Sequence, residues 1–239
     1  YHDDWLQQAN AFGISLSMPL REEEHGDAVA RAYFNNLLHE NDQLNQLLGR
    51  ERLDRSDIVG ILRHLGADCP GAISCLPVDA PPVKRPGSLL TDYDAINDEE
   101  MVDIVERLAA GRPLPTGWRD PSPVAGFRRK ISLAQMLDGR FALPKAGLGV
   151  PTTHILKIPD PDHRDEAQQE AAAAMLARSC GFEASVSTAS HIGAQDIMLI
   201  ERFDRFTTAD GQVGRLHQED FAQAIGLPDS LKYERTATG

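Results

Sequence analysis

Two stretches decide the fold: Thr152-Thr153-His154-Ile155-Leu156-Lys157 and Ile200-Glu201-Arg202-Phe203-Asp204. The first is typical of an apolar strand that ends in a lysine, and the second of an apolar strand that runs into a charged, aromatic exit. Upstream of both, Lys130 to Leu137 and Arg140 to Pro144 flank Asp138-Gly139, which is a two-residue hairpin signal. The pattern predicts an antiparallel sheet in the second half of the chain.

Three further segments complete this half. Glu166 to Ser179 is rich in alanine and lacks helix breakers, so it predicts a helix. Ser185 to Ile192 and Gln195 to Arg202 predict a second hairpin around Gly193-Ala194. Gln218 to Ile225 predicts a short helix, because glycine and proline follow it.

The first half has a different pattern, in which apolar residues recur mainly at helical spacing. It predicts a short strand at Ala72 to Leu76 and helices at Ala28 to Leu38, Asn41 to Leu48, Asp54 to Leu65 and Asp98 to Ala110. Asp54 or Ser56 is the expected N-cap of the third helix, and Asn97 that of the fourth.

The fold class predicted from these elements is α+β. Residues 1–112 are expected to form an N-terminal α/β subdomain, and the proline-rich residues 113–123 a linker. Residues 124–239 are expected to form an antiparallel sheet with a helix, followed by the start of a further lobe.

Composition limits the classes of function. The net charge of −12 argues against direct binding to a nucleic-acid backbone. No apolar run is long enough to span a membrane, and the opening Tyr1-His2-Asp3-Asp4 is unlike a signal peptide, so we expect a cytoplasmic protein. Three cysteines without metal-like spacing are expected to be reduced thiols. Because no initiator methionine opens the sequence, we expect the natural chain to begin upstream.

The order hairpin, lysine strand, helix, hairpin and exit segment is that of a protein-kinase small lobe. Lys157 would then contact the nucleotide phosphates, and Glu170 would orient it as an ion pair. The backbone of Val124-Ala125-Gly126 would approach the phosphates, while Glu201 to Phe203 would offer backbone groups and a ring to the adenine.

Taken singly, each residue also fits a plainer interpretation. Lys157 resembles a solvated strand end, and Glu170 a solvated helix face. Gly126 alone fits an ordinary turn, and Arg128-Arg129-Lys130 a solvated loop. His154 has the neighbours of a packed or hydrogen-bonded histidine, and His217 can simply begin the last helix.

Several motifs occur in a specific order along nearly the whole chain. They are Asn35-Asn36-Leu37-Leu38, residues 65–72 (LGADCPGA), Val124-Ala125-Gly126 with Lys130, residues 151–157 (PTTHILK), residues 201–205 (ERFDR), residues 215–220 (RLHQED), Gly226-Leu227-Pro228 and residues 231–234 (LKYE). In these motifs the chain resembles the HipA family of bacterial type II toxin–antitoxin serine/threonine kinases.

The resemblance implies that the chain is part of a kinase that uses ATP with Mg²⁺ to phosphorylate a protein. Aminoacyl-tRNA synthetases are the family's substrate class, and their phosphorylation arrests growth in the persistence response. A DNA-binding HipB-type antitoxin is the implied partner, so contact with nucleic acid would be indirect. The implied nucleotide-binding residues are Ala125, Gly126, Phe127, Arg128, Arg129, Lys130, Lys157, Glu201, Arg202 and Phe203.

The chain also departs from the family pattern. Pro123 replaces the serine that the family autophosphorylates, with Ser122 one position away, and Phe127 and Arg128 replace a small residue and a glutamine. The family's catalytic aspartate and magnesium ligands lie beyond the Lys-Tyr-Glu motif that ends at Glu234. We therefore expect no catalytic or metal-binding residue within these 239 residues, and no kinase activity from them alone. The alternative is a catalytically dead HipA remnant that acts only as an antitoxin-binding protein.

Overall fold

The computed structural model describes residues 1–38, 44, 48–49, 51–112, 114, 130–160, 162–163 and 165–232. Two compact units divide the chain, one formed by Tyr1–Pro77 with His217–Gly239 and the other by Val78–Leu216. This division differs from the predicted boundaries, because residues 78–112 pack onto the sheet of the second unit. The predicted linker at 113–123 lies outside the described residues, apart from Leu114.

The described part of the second unit contains short and medium strands. They are β1 Gly87–Ser88, β2 Tyr93–Ala95, β3 Lys130–Gln135, β4 Phe141–Pro144, β5 His154–Lys157, β6 Ser187–Ile192, β7 Gln195–Glu201, β8 Arg205–Thr207 and β9 Gln212–Arg215. Six form one antiparallel sheet in the order β2-β4-β3-β5-β7-β6, and three form a small antiparallel sheet in the order β1-β9-β8. The antiparallel sheet of the predicted α+β class is confirmed.

The helices with described ends are α1 Asp3–Leu6, α2 Asp27–Asn36, α3 Ile58–Leu65, α4 Asp98–Ala109, α5 Glu166–Ser179 and α6 Phe221–Ala224. Single 3-10 turns follow α3 at Gly66–Asp68 and α6 at Asp229–Leu231. The predicted bounds of α5 are confirmed at both ends. The helix predicted at 41–48 lies largely outside the described residues.

Both predicted hairpins are confirmed. The β3–β4 turn contains Gly139 at a φ of 87°, and the β6–β7 turn contains Gly193 at a φ of 58°. Glycine adopts this left-handed backbone without the steric penalty that a side chain imposes. The second hairpin keeps register from Ser187 opposite Ile200 to Ile192 opposite Gln195.

The core of the second unit lies between the large sheet and α4. Asn97 and Glu100 form a capping box that fixes the start of α4, as the predicted cap requires. Ile104 on this helix is fully buried with Ile131 of β3 and Leu156 of β5. The packing holds the central strands, and with them the end of β5, in place.

The first unit packs its helices around Tyr33, Leu44 and Ile61, each of which is fully buried. Two predictions for this unit are wrong. The N-cap of α3 is Asp57, whose carboxylate accepts the Gly60 N–H, because Asp54 instead accepts hydrogen bonds from the backbone and hydroxyl of Ser56.

The strand predicted at Ala72 to Leu76 is also absent. This described segment pairs with no strand, and the Cys75 N–H donates instead to the Gly66 carbonyl at 2.7 Å. A short apolar run becomes a strand only where a neighbouring strand can satisfy its backbone.

The helix predicted at 218–225 is shorter than expected. Asp220 caps it in a capping box with Gln223, so that α6 begins at Phe221 and His217 lies before it. His217 Nε2 lies 2.7 Å from the carbonyl oxygen of Ile14. His217 is therefore a residue of the first unit's packing, and the helix does not start there.

Within the described ranges, no helix has the length and apolar character needed to cross a lipid bilayer. None of the three cysteines, all of which lie within the described residues, forms a disulfide bond: Cys69 is buried, Cys75 partly buried and Cys180 exposed.

Candidate functional site

The second unit contains an open cleft of about 910 Å³ beside the inner face of α5. The residues that line it come from the end of β5, from α5, and from the segments on either side of the β6–β7 hairpin. They are Lys157, Glu170, Ala173, Ala174, Glu183, Ala184, Ser185, Val186, Ser187, Ile200, Glu201, Arg202, Phe203 and Arg205. Every predicted site residue from Lys157 onward therefore lies on one cleft.

An ion pair between Lys157 and Glu170 lies at one side of this cleft. The ammonium nitrogen of Lys157 is 3.0 Å from Oε2 of Glu170, and the two side chains are 29% and 41% exposed. β5 ends at the lysine, while the glutamate lies in the second turn of α5. The structure thus brings together two residues that are 13 positions apart. Taken singly, Lys157 had also fitted a solvated strand end, and Glu170 a solvated helix face.

Lys130 lies directly opposite Lys157 in the pairing of β3 with β5. Side chains of directly opposed residues leave the same face of a sheet about 5 Å apart, and like charges in such a pair repel. Lys157 is already paired with Glu170, and Lys130 is not among the residues that line the cleft, so this strand pairing alone assigns no anion site. The other predicted phosphate-loop residues, Ala125, Gly126, Phe127, Arg128 and Arg129, lie outside the described residues.

The predicted adenine-binding segment forms a turn at another part of the cleft. The Arg205 N–H donates to the Arg202 carbonyl at 3.3 Å, which places Phe203 at the tip with 69% of its surface exposed. The Glu201 N–H donates to the Val186 carbonyl at 2.9 Å. Among the described residues, the Phe203 N–H has no hydrogen-bond partner. Phe203, which lines the cleft, therefore carries an exposed ring and a backbone N–H that no described residue engages.

Arg202 lines the cleft, but its donors are engaged elsewhere. Its N–H donates to the Thr153 carbonyl at 2.9 Å, and its guanidinium forms a two-point contact with Asp204 at 3.0 and 2.8 Å. Burial acts to raise the pKa of Asp204, yet the hydrogen bond and charge of Arg202 outweigh burial and hold it below its ordinary value. These contacts join the Arg202 guanidinium to Asp204, and the place of Arg202 in the adenine-binding segment stays a prediction.

His154 is a hydrogen-bonded histidine, as its neighbours predicted. Its Nδ1 lies 2.8 Å from the hydroxyl of Thr153. Burial lowers the pKa of His154, against the opposing effect of the Glu201 carboxylate.

The sequence did not single out Thr152, Asp204 and Arg205 as site residues, although all three surround the turn. Asp204 and Arg205 are part of the quoted ERFDR motif, which was the signal available. The first unit also has an apolar groove of about 750 Å³ that sequence reasoning did not predict. Groups of three or more metal-ligating side chains are absent from the described residues.

Two family models match the chain. One is described as the HipA N-terminal domain and matches residues 1–76, and the other is described as the HipA-like C-terminal domain and matches residues 122–239. The chain belongs to the HipA family. The resemblance drawn from the sequence motifs is confirmed.

Relatives in this family align along almost all of the chain. A Sinorhizobium fredii protein named as a candidate kinase, Y4mE, is 34% identical over 238 residues, which are 98% of this chain and 55% of Y4mE. The serine/threonine-protein kinase toxin HipA of Shewanella oneidensis is 30% identical over 246 residues, covering 98% of this chain and 51% of that protein.

A solved structure supports the same HipA fold. In the complex of HipA, HipB and operator DNA from the Shewanella oneidensis toxin–antitoxin system, one chain matches with a TM-score of 0.71 and 28% sequence identity. The match covers 98% of this chain and 52% of that chain. The chain spans about half the length of the HipA relatives it matches.

Proposed function

We propose that this chain is the nucleotide-binding part of a HipA-like toxin, a serine/threonine protein kinase that uses ATP to phosphorylate a protein. The observation that carries the proposal is the Lys157–Glu170 ion pair on the cleft that Phe203 also lines. Membership of the HipA family supports it, because the relatives aligned along the chain include a kinase toxin.

The cleft residues suit the two ends of a nucleotide. An ammonium group favours phosphate oxygens, and the carboxylate of Glu170 restrains the Lys157 side chain so that less freedom is lost when phosphate binds. By family resemblance we also assign Lys130 to the phosphates; it lies opposite Lys157 in the sheet but is not among the residues that line the cleft. At the other end, the exposed ring of Phe203 gives a base an apolar surface, and the Phe203 N–H is a donor for its edge.

Bound ATP with Mg²⁺ would supply the phosphoryl group and the cation that neutralises its developing charge. By family resemblance, we place the catalytic aspartate and the magnesium ligands in the part of HipA proteins that follows the Lys-Tyr-Glu motif. The cleft residues of this chain would bind and orient the nucleotide, and we assign none of them a proton-transfer step.

The substrate and partner follow from the family. We propose an aminoacyl-tRNA synthetase as the substrate class, growth arrest as the consequence and the cytoplasm as the place of action. The Shewanella oneidensis complex supports a HipB-type antitoxin as the partner, with DNA contacted through it. The net charge of −12 suits a basic protein partner.

A second candidate is a HipA remnant that binds an antitoxin without transferring phosphate. Its support is the altered phosphate loop, where Pro123 and Phe127 replace the serine and the small residue of the family pattern. A bulky ring in such a loop hinders the close approach of backbone N–H groups to phosphate.

Calorimetric titration with Mg²⁺-ATP separates the two candidates. The unaltered chain is expected to bind ATP saturably, and Lys157→Ala to bind about 10-fold to 100-fold more weakly, because a hydrogen bond to a charged group is lost. Lys145→Ala is the matched control, since Lys145 is an exposed lysine of the same unit that does not line the cleft. Equal, negligible binding by the unaltered chain and Lys157→Ala would remove the site assignment and favour the remnant.

A further inference from the structure

A buried charged cluster lies under the exposed turn of the cleft. The side chains of Arg202, Asp204 and Arg205 are only 6%, 3% and 4% exposed. One carboxylate thus serves two guanidinium groups: Arg202 contacts Asp204 at 3.0 and 2.8 Å, and Arg205 Nη1 contacts Oδ2 of Asp204 at 2.6 Å. The proposed contacts to a nucleotide use none of these side chains.

The cluster joins the turn to the strand that leads to Lys157. Arg205 Nε donates to the Thr152 carbonyl at 3.0 Å, and Arg202 Nη1 lies 3.4 Å from the Thr152 hydroxyl. Thr152 is 1% exposed and lies two residues before β5. The cluster also contacts the backbone of the turn itself, because Arg205 Nη1 donates to the Asp204 carbonyl at 2.8 Å.

Phe203 depends on this support. Its ring is exposed, and the described residues offer its N–H no partner, so its own contacts do not fix where it points. The side chains of the flanking residues Arg202 and Asp204 are buried and joined by two hydrogen bonds, so the position of Phe203 is set through them. Burying three charges is expensive and often adds no net stability over apolar packing, whereas it can enforce one conformation.

We infer that Asp204 is a positioning residue for the base of the bound nucleotide. By clamping both arginines it fixes the turn, and the turn fixes the ring and N–H of Phe203 against the base edge. This inference rests on the proposed nucleotide site, and it assigns the Arg202–Asp204–Arg205 cluster to recognition of the base, while Lys157 and Glu170 serve the phosphates.

The test compares two ligands that share phosphate and differ in the base. Affinities for ATP and for inorganic tripolyphosphate are measured by calorimetry for the unaltered chain, Asp204→Asn and Arg205→Lys. Asp204→Asn removes the shared charge at constant size, and Arg205→Lys keeps the charge but removes the planar fork. Thermal unfolding is recorded for each variant, and if Asp204→Asn does not fold, Arg205→Lys decides.

The readout is the ratio of ATP affinity to tripolyphosphate affinity, which a loss of stability alone would not change. We expect the ratio to fall about tenfold in both variants, which corresponds to the loss of one or two hydrogen bonds or an equivalent contact to the base. The control is Ile104→Ala, which leaves a cavity in the core beneath the sheet and is expected to lower the unfolding temperature with an unchanged ratio.

Two outcomes overturn the inference: an unchanged ratio in a folded Asp204→Asn or Arg205→Lys variant, or an equal fall in the Ile104→Ala control. Failure of the proposed function is a different result, in which the unaltered chain binds neither ATP nor tripolyphosphate.

Discussion

Replacing Glu170 by alanine tests whether its carboxylate orients Lys157 or merely neutralises it. The pair is short at 3.0 Å but partly exposed, at 29% and 41%. Double-mutant cycles on exposed pairs give about 0.2–1 kcal/mol, and alanine returns a few tenths through helix propensity. We therefore expect Glu170→Ala to change the free energy of unfolding by less than about 1 kcal/mol.

The expected effect on nucleotide affinity has two opposing parts. Without its carboxylate partner, Lys157 regains up to about 2 kcal/mol of rotamer entropy that phosphate binding must then remove. Loss of the carboxylate also relieves repulsion with phosphate, which is about 1 kcal/mol for unit charges 4 Å apart in water. The balance predicts ATP binding weakened by about 1 kcal/mol, or about fivefold.

Asp103→Ala is the matched control. Asp103 pairs with Arg107 at 2.8 Å on α4, and the aspartate and arginine are 47% and 34% exposed, close to the values of the cleft pair. Asp103 does not line the cleft. Urea unfolding should show similar small changes for both variants, and ATP titration a loss in Glu170→Ala alone. Equal or tighter ATP binding by Glu170→Ala would mean that the carboxylate only neutralises Lys157, and the orienting role would be refuted.

Three further predictions concern stability, each measured by urea unfolding. Asp57→Ala should cost about 1 kcal/mol, since the cap on the Gly60 N–H is lost, and an unchanged midpoint would remove Asp57 as the cap. Ile104→Ala should cost about 2–5 kcal/mol because it empties a fully buried site, and a loss well below that range would contradict its burial. The lowered pKa of Asp204 predicts a stability contribution that is present above its unfolded value of 3.8 and is lost as the pH falls through the lower folded value. Asp204→Asn should lack that acid-dependent part, and an identical pH profile for the variant would count against the assignment.

Local patterns were enough to predict most of the second unit. The hairpins about Asp138-Gly139 and Gly193-Ala194 follow from turn residues between alternating or apolar runs, and α5 follows from composition. These signals act within a few residues of chain. β1 and β8 were missed because two or three residues carry no period. The pairing of β1 with β9 also depends on a partner far away in the chain, whereas β8 and β9 are neighbours that pair as a hairpin.

Errors in the first unit have a related cause. Ala72 to Leu76 has the composition of a strand, yet strand formation needs a neighbour, and the nearby Gly66 carbonyl accepts the Cys75 N–H instead. Asp54 and Asp57 are both plausible caps by residue type. The choice depends on which backbone N–H groups each carboxylate reaches, and Asp54 is already engaged with Ser56.

The sequence predicted several of the residues that line the cleft, but it did not predict the buried Arg202–Asp204–Arg205 cluster that supports the turn. Lys157 and Glu170 are 13 positions apart on different elements, so no spacing rule pairs them, and the kinase-like order of hairpin, strand, helix and hairpin was the signal that did. The plainer interpretation of each residue was reasonable in isolation. Their ion pair on one cleft is the feature that favours the functional interpretation over two unrelated solvated side chains.

Arg202 illustrates how charge alone misleads. Charged residues are rarely buried unless they are paired, so an arginine in a sequence is first expected to be exposed. An exposed arginine beside an aromatic residue would then be interpreted as a ligand for phosphate or base. Here Asp204 and the backbone of Thr153 engage its donors. Burial also lowers the pKa of Arg205, aided by the charge of Arg202, to about 10, so Arg205 stays charged at neutral pH beside the carboxylate of Asp204. The positive charges of Arg202 and Arg205 are thus paired with Asp204 beneath the turn, and the proposed phosphate contact uses Lys157 of β5 instead.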